Sequence, residues 1–207
     1  MLLQWSAPEY VPRSFLVSGV SGTNKVVEQT DTSFRLTKQV ADGLVDMQEV
    51  SKGLFLVQSE MSFKKETELC EEYPERKVFQ LSFCMNGICE WDYRQTRGEH
   101  YQLSPTQCSL QCGTFSQCIS RFGSEEPYRT LSISLEQERF LSLAEDLEAA
   151  HLIRRDNKIC THIFSTTPEI RLVLQQLLDC PPERKLRKLY LEGKVLELVS
   201  LFCEEAI

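Results

Sequence analysis

Hydrophobic and polar positions change their rhythm once, sharply, along this chain. Between residues 43 and 135 apolar residues alternate with polar ones in short runs closed by turn residues, the period-2 pattern of half-buried strands. Runs at 53–63, 78–85, 88–95, 98–103, 108–112, 117–122 and 128–135 predict strands at the spacing of a small antiparallel barrel or sandwich. Asn86-Gly87 lies between two of them and predicts a two-residue hairpin, because both central residues of that turn take φ > 0. In the strand before it, alternation puts Phe79, Leu81, Phe83 and Met85 on one face and Val78, Gln80, Ser82 and Cys84 on the other.

From residue 136 the apolar spacing lengthens to three and four. Phe140, Leu143, Ala144 and Leu147 predict a helix ending near residue 150, and 158–164 reads as one more strand. Thr167-Pro168-Glu169 is a helix start: a capping hydroxyl, a proline whose missing N–H costs nothing there, and a carboxylate against the positive dipole end. Ile170, Val173, Leu174, Leu177 and Leu178 give that helix its apolar stripe, and Cys180-Pro181-Pro182 stops it. A terminal helix follows over 182–205, with Pro182 in its first turn and a stripe running from Leu186 to Phe202. At ~1.5 Å per residue it would be ~35 Å long, more than one small domain's core needs. The stripe therefore predicts packing on a neighbouring helix or on a second copy, with an ordinary core helix as the alternative. The polar, turn-rich segment 1–37, with a short strand near 25–29, reads as an extension or barrel edge. The division is thus an extension over 1–37, a barrel over 38–165 and a helical hairpin over 166–207. In class this is α+β: an antiparallel cupin-like barrel or sandwich followed by a helical hairpin.

Composition narrows the function. A chain of 207 residues with 42% apolar residues can form a real core. Its net charge of −7 argues against nucleic-acid binding through its own surface, which needs a basic footprint. No run approaches the length of a membrane span, and the N-terminus lacks the cationic start and apolar core of a signal peptide. Nine cysteines, an odd number, most of them among apolar or small neighbours, read as reduced core thiols of a cytoplasmic protein.

Candidate chemistry is sparse. His100, His151 and His162 stand apart, with no H-x-H or H-E-x-x-H, so a cupin-like metal enzyme is disfavoured and neither metal nor cofactor is expected. Cys108 and Cys112 would share a strand face, with Cys118 further on, which keeps a thiol or soft-metal sensor open beside the simpler reading of core thiols. No G-x-S-x-G occurs, and Gly19-Val20-Ser21-Gly22 is too short for a phosphate loop. No enzyme is expected. A ligand cavity suits a small barrel better: Phe79, Phe83, Trp91, Tyr93, Phe115 and Phe122 could line it, and Arg94 and Arg121 could orient an anionic group. Plain core filling is the alternative for each aromatic residue. Arg184, Lys185, Arg187 and Lys188 cluster at the start of the terminal helix, as a solvated face or as a contact with DNA or a partner.

Three stretches together resemble a known pattern: Thr167-Pro-Glu-Ile-Arg, Leu177-Leu-Asp-Cys-Pro, and Leu186-Arg-Lys-Leu-Tyr-Leu-Glu-Gly-Lys-Val-Leu-Glu-Leu. They resemble AraC-type transcription regulators, in particular the siderophore-responsive (pyochelin-type) subgroup. The match is specific over 166–202 and rests on element order before that. The resemblance implies an N-terminal barrel that binds a small-molecule effector, a hairpin that mediates homodimerisation, and DNA contact through a C-terminal helix-turn-helix domain. That domain would begin where this sequence ends, so an effector-binding and dimerisation half is expected, with a siderophore-like effector as one class. On this reading Leu186, Leu189, Leu196, Val199 and Cys203, at spacings of 3, 7, 3 and 4, form the dimer seam. A stand-alone interaction module is the alternative, as is the thiol or metal sensor.

Overall fold

A computed structural model of the protein describes residues 14–17, 33–36, 38, 40–94, 98–136, 139, 142 and 159–206. Ten strands form one sheet: β1 (Ser14–Val17), β2 (Ser33–Phe34), β3 (Ala41–Ser51), β4 (Leu54–Phe63), β5 (Thr67–Asn86), β6 (Cys89–Tyr93), β7 (Tyr101–Leu103), β8 (Gln107–Phe122), β9 (Tyr128–Glu136) and β10 (Cys160–Ser165). Helices α1 (Pro168–Leu178) and α2 (Arg187–Ala206) follow. The strand order is β2-β3-β4-β9-β5-β8-β6-β7, with β1 on β5 and β10 on β8, and every pairing is antiparallel. Two strands therefore come from the expected N-terminal extension. The predicted strand at 25–29 and most of the predicted helix over 136–150 lie outside the described residues.

The Asn86-Gly87 hairpin does not form. β5 pairs with β8 and β9, while β6 pairs with β7 and with the far edge of β8. Gly87 has φ of +72°, but Asn86 is not in the left-handed region, so the two-residue turn is absent. The pair instead makes a corner held by another segment. Asn86 Nδ2 donates to the Pro127 carbonyl at 2.6 Å, and a Cβ on Gly87 would stand 2.9 Å from that same oxygen. Local turn chemistry is right for a bend here; long-range pairing decides which strands it joins.

The sheet curls until strands that are not neighbours touch. Phe63 at the end of β4 stacks on Phe122 at the end of β8, ring centroids 4.6 Å apart, although β9 and β5 lie between them in the sheet. Two cores result. One lies between β4, β9, β5, β8 and the two helices, and includes Leu54, Leu81, Leu110, Ile133, Leu177, Leu191 and Phe202. The other fills the inside of the curl, with Met47, Phe55, Phe63, Leu69, Trp91, Tyr93 and Phe122.

Helix α1 begins as its sequence dictates: the Thr167 hydroxyl accepts from the Ile170 N–H at 3.3 Å, and Pro168 sits in the first turn. Its attachment to the barrel is specific. The carbonyl of Thr106 accepts both the Thr166 N–H at 2.8 Å and the Thr166 hydroxyl at 3.0 Å. Thr106 itself has φ of +69°, an unfavourable conformation for a β-branched residue.

Helix α2 starts at Arg187, not at Pro182. Arg184 N–H bonds to Pro181 O and Arg187 N–H to Arg184 O, both at 3.2 Å, and Leu186 takes φ of +57°. Pro182 thus belongs to the turns that reverse the chain after α1. The helix is 20 residues, ~30 Å at 1.5 Å per residue. Its Leu191, Val195, Leu198, Val199, Phe202 and Cys203 are all buried against its own domain. The length of the stripe alone therefore gave no sign of a partner, because the curled sheet is wide enough to occupy it.

Candidate functional site

The site is built from the inner face of five adjacent strands. Register places Thr161, Gln111, Gln80, Ser134 and Phe55 side by side across β10, β8, β5, β9 and β4. The next row on the same face is Ile163, Ser109, Ser82, Ser132 and Val57. Between these rows, pointing the opposite way, lies a row under the helices, Leu110, Leu81, Ile133 and Leu56, with the exposed His162 at its β10 end. The sheet is thus apolar toward the helices and polar toward the inside of its curl.

Those inner polar groups are enclosed. Ser82, Ser109, Ser132 and Ser134 are all buried. Ser82 Oγ and Ser132 Oγ share a hydrogen bond of 2.9 Å, and Gln80 Nε2 donates to Ser82 Oγ at 3.1 Å. The hydroxyls of Ser109 and Ser134 are buried without an aligned partner among the described residues. A buried polar atom left unpaired costs ~1–3 kcal/mol, so such hydroxyls are either met by solvent or kept for a ligand. No charged side chain occupies either row.

An aromatic wall adjoins this floor. Trp91 stacks on Tyr101 at 5.6 Å and Tyr93 meets Tyr101 edge-on at 6.0 Å. Tyr93 is enclosed; burial first, and the neighbouring Cys118, hold its phenol well above the usual tyrosine range, although Thr161 and Trp91 lie close enough to favour the ionised form. Tyr101 is pushed up to about 12, by burial and then by the Glu99 carboxylate, to which its hydroxyl donates at 2.6 Å. Both phenols are therefore neutral donors at any physiological pH.

The residues singled out by sequence fall into three places. Trp91, Tyr93 and Phe122 belong to the core inside the curl. Phe79 and Phe83 point the other way, into the core beneath α1 and α2, which the parity of β5 makes unavoidable once Ser82 faces inward. Arg94 is exposed and donates to Gln117 Oε1 at 2.7 Å. Arg121 is engaged on the surface by Asp92 at 2.6 Å and Glu68 at 3.2 Å, which raise its pKa further. The side chain of Phe115 lies outside the described residues. Alternation separates the two faces of a strand but does not say that the polar one is covered as well. The signal was present in Gln80-Leu-Ser82, Ser109-Leu-Gln111 and Ser132-Ile-Ser134, three matching triplets on three paired strands.

The thiols separate as well. Cys108 and Cys112 are under the helices while Cys118 is inside the curl, so the three do not converge. No three metal-ligating side chains converge among the described residues. Of the expected dimer seam, Leu186 and Leu189 are 77% and 65% exposed, Leu196 is half-buried, and Val199 and Cys203 are buried in their own domain. The basic cluster seats α2: the Arg184 guanidinium lies 3.8 Å from the Tyr190 ring centroid, and Arg187 Nη1 donates to Gln48 Oε1 of β3 at 2.6 Å.

Residues 42–206 match the sequence profile of the family described as the regulatory protein PchR N-terminal domain. No curated protein sequence matches the chain. Among solved structures, apo ToxT K231A from Vibrio cholerae strain SCE256 superposes with a TM-score of 0.50 at 14% identity, covering 77% of this chain and 57% of that one. The AraC-like transcriptional activator CuxR gives a TM-score of 0.49 at 9% identity, over 77% of this chain and 56% of that one. The chain thus spans little more than half the length of the regulators it resembles. No described helix is long and apolar enough to cross a membrane.

Proposed function

The chain belongs to the PchR family of AraC-type regulator N-terminal domains, and from that premise we propose that it is the effector-sensing and dimerising part of a transcription regulator. The observation that carries the reading is the pair of buried hydroxyls of Ser109 and Ser134, which lack an aligned partner among the described residues on the inner face of the curled sheet. They offer two placed hydroxyls near an aromatic wall, the arrangement expected of a pocket that fixes one organic molecule by shape and a few placed polar groups.

The floor also selects among effectors. It presents hydroxyls, which both donate and accept, and no cation in these rows, so it suits a ligand rich in uncharged hydrogen-bond donors and acceptors over one that depends on an ion pair. A siderophore-like effector presenting such acceptors is one class that fits. Hydroxyls and amides without a titrating neighbour in these rows can hold a ligand but not move its protons, so the reading is of a binding domain and not an enzyme. Leu186, Leu189 and Leu196, the part of the seam not buried in the domain, are the residues we assign to the homodimer. DNA contact would then belong to a further domain of the regulator and not to this acidic one.

The test is a thermal-shift screen of siderophores, neutral aromatic compounds, sugars and aromatic acids, repeated on Ser109→Ala and Ser134→Ala. A ligand at 100 times its Kd stabilises by ~2.7 kcal/mol. Stabilisation that both variants lose supports the floor as the site. A ligand that stabilises both variants as well as the parent would place binding elsewhere.

A further inference from the structure

The helix-facing side of the same sheet carries a close pair of thiols. Cys112 of β8 and Cys160 of β10 are direct cross-strand partners, and their sulfurs lie 2.7 Å apart. All nine cysteines are thiols, and this is a pair in sulfur-to-sulfur contact. Side chains of opposed residues in an antiparallel pair fall within the Cα separation that a disulfide spans. No strand movement is needed to join them.

The two thiols differ in access. Cys112 is buried and Cys160 is half-buried, so a solution oxidant reaches Cys160 first while Cys112 waits beside it. Metal capture is the competing use of a dithiol, but no third thiolate, imidazole or carboxylate converges with them among the described residues. Two-electron oxidation is what two thiols can do without a third ligand.

We propose that Cys112 and Cys160 form a peroxide-sensitive dithiol switch at the junction of barrel and hairpin. The Cys160 thiolate attacks one peroxide oxygen, cleaving the O–O bond to give a sulfenic acid and hydroxide, which takes up a proton to become water. Cys112 sulfur then attacks the Cys160 sulfur, the S–S bond forms, and the sulfenic oxygen leaves as a second water with the Cys112 proton. Two thiols are oxidised and one peroxide is reduced. The product ties β10 covalently to β8. Since β10 runs directly into α1 through Thr166 and Thr167, oxidation fixes the root of the hairpin and reduction frees it.

The experiment is titration of the whole protein with hydrogen peroxide, followed by alkylation, peptide mapping and thermal unfolding. The expected result is loss of two alkylatable thiols of the nine, a mapped Cys112–Cys160 disulfide, a raised Tm, and full reversal by dithiothreitol. Cys160→Ser should retain all its remaining thiols under the same treatment. Nine intact thiols after peroxide, or a disulfide mapped to any other pair, overturns the proposal, and mapping on the parent protein decides it even if the variant fails to fold.

Discussion

Phe63 and Phe122 stack nearly parallel, their planes 15° apart and their centroids separated by 4.6 Å, at the ends of two strands that do not pair. Tyr128 closes on Phe122 from the side, edge-on at 4.8 Å. The three rings join the ends of β4, β8 and β9 where no backbone ladder runs between β4 and β8, so side-chain packing alone closes the curl there. Replacing Phe122 with alanine should cost about 3–5 kcal/mol. Urea unfolding measures it, and a loss under 1 kcal/mol would mean that the rings are not what holds the curl.

Removing a buried hydroxyl with no partner relieves a desolvation cost and loses no hydrogen bond. Ser109→Ala and Ser134→Ala should therefore leave stability unchanged or raise it by up to ~1 kcal/mol, while abolishing stabilisation by effector. Function traded for stability in this way is the mark of a site. Denaturation midpoints of the apo variants check it; a loss of 2 kcal/mol in either would show that the hydroxyl is structural.

Burial pushes the thiols of Cys84 and Cys203 up to about 11 from 9.0. Below pH 9 both the folded and unfolded chains hold these protons, and the full stability is present. Between 9 and 11 the unfolded chain ionises first, so folding stability falls as pH rises. Midpoints in urea across that window should decline, and the double variant Cys84→Ala, Cys203→Ala should flatten the decline even though its starting stability is lower.

How far the sequence speaks for the fold depends on whether its pattern is local. Helix α1 was legible to the residue, because Thr167 and Pro168 act on N–H groups within one turn. Strand existence at 53–63 and 128–135 was legible from alternation. What alternation does not carry is the identity of a strand's neighbours or which side faces water. Asn86-Gly87 bends the chain as its chemistry requires, yet β6 crosses to β8, since pairing is settled by burial far away in sequence. Ser82 and Leu81 were correctly placed on opposite faces, but both faces are covered, one by helices and one by the curl. Polar alternation therefore marked a covered inner face where it ordinarily marks a solvent-facing surface.

The two halves of the expected seam should separate under mutation. Leu189→Lys with Leu196→Lys should leave the fold intact and convert a dimer to monomer in light scattering, since Leu189 is exposed and Leu196 half-buried. Val199→Asp should unfold the domain instead, because it places an unpaired carboxylate in the core under the sheet. A dimer that survives the double lysine variant would remove Leu189 and Leu196 from the interface.

Thr106 holds a left-handed backbone with φ of +69°. Glycine adopts it without Cβ strain, so Thr106→Gly should gain about 1 kcal/mol, less its larger unfolded-state entropy. The carbonyl that receives Thr166 is retained. A clear loss of stability on urea denaturation would mean that the threonine side chain contributes more than its conformation costs.

β5 belongs to two cores at once. Ser82 looks into the curl, while Leu81 and Phe83 on either side of it look at the helices. The wall between the two compartments is a single backbone thick. A displacement of Ser82 would shift the same peptide units that seat Leu81 and Phe83, so the inner core and the helix-covered core are joined mechanically through one strand.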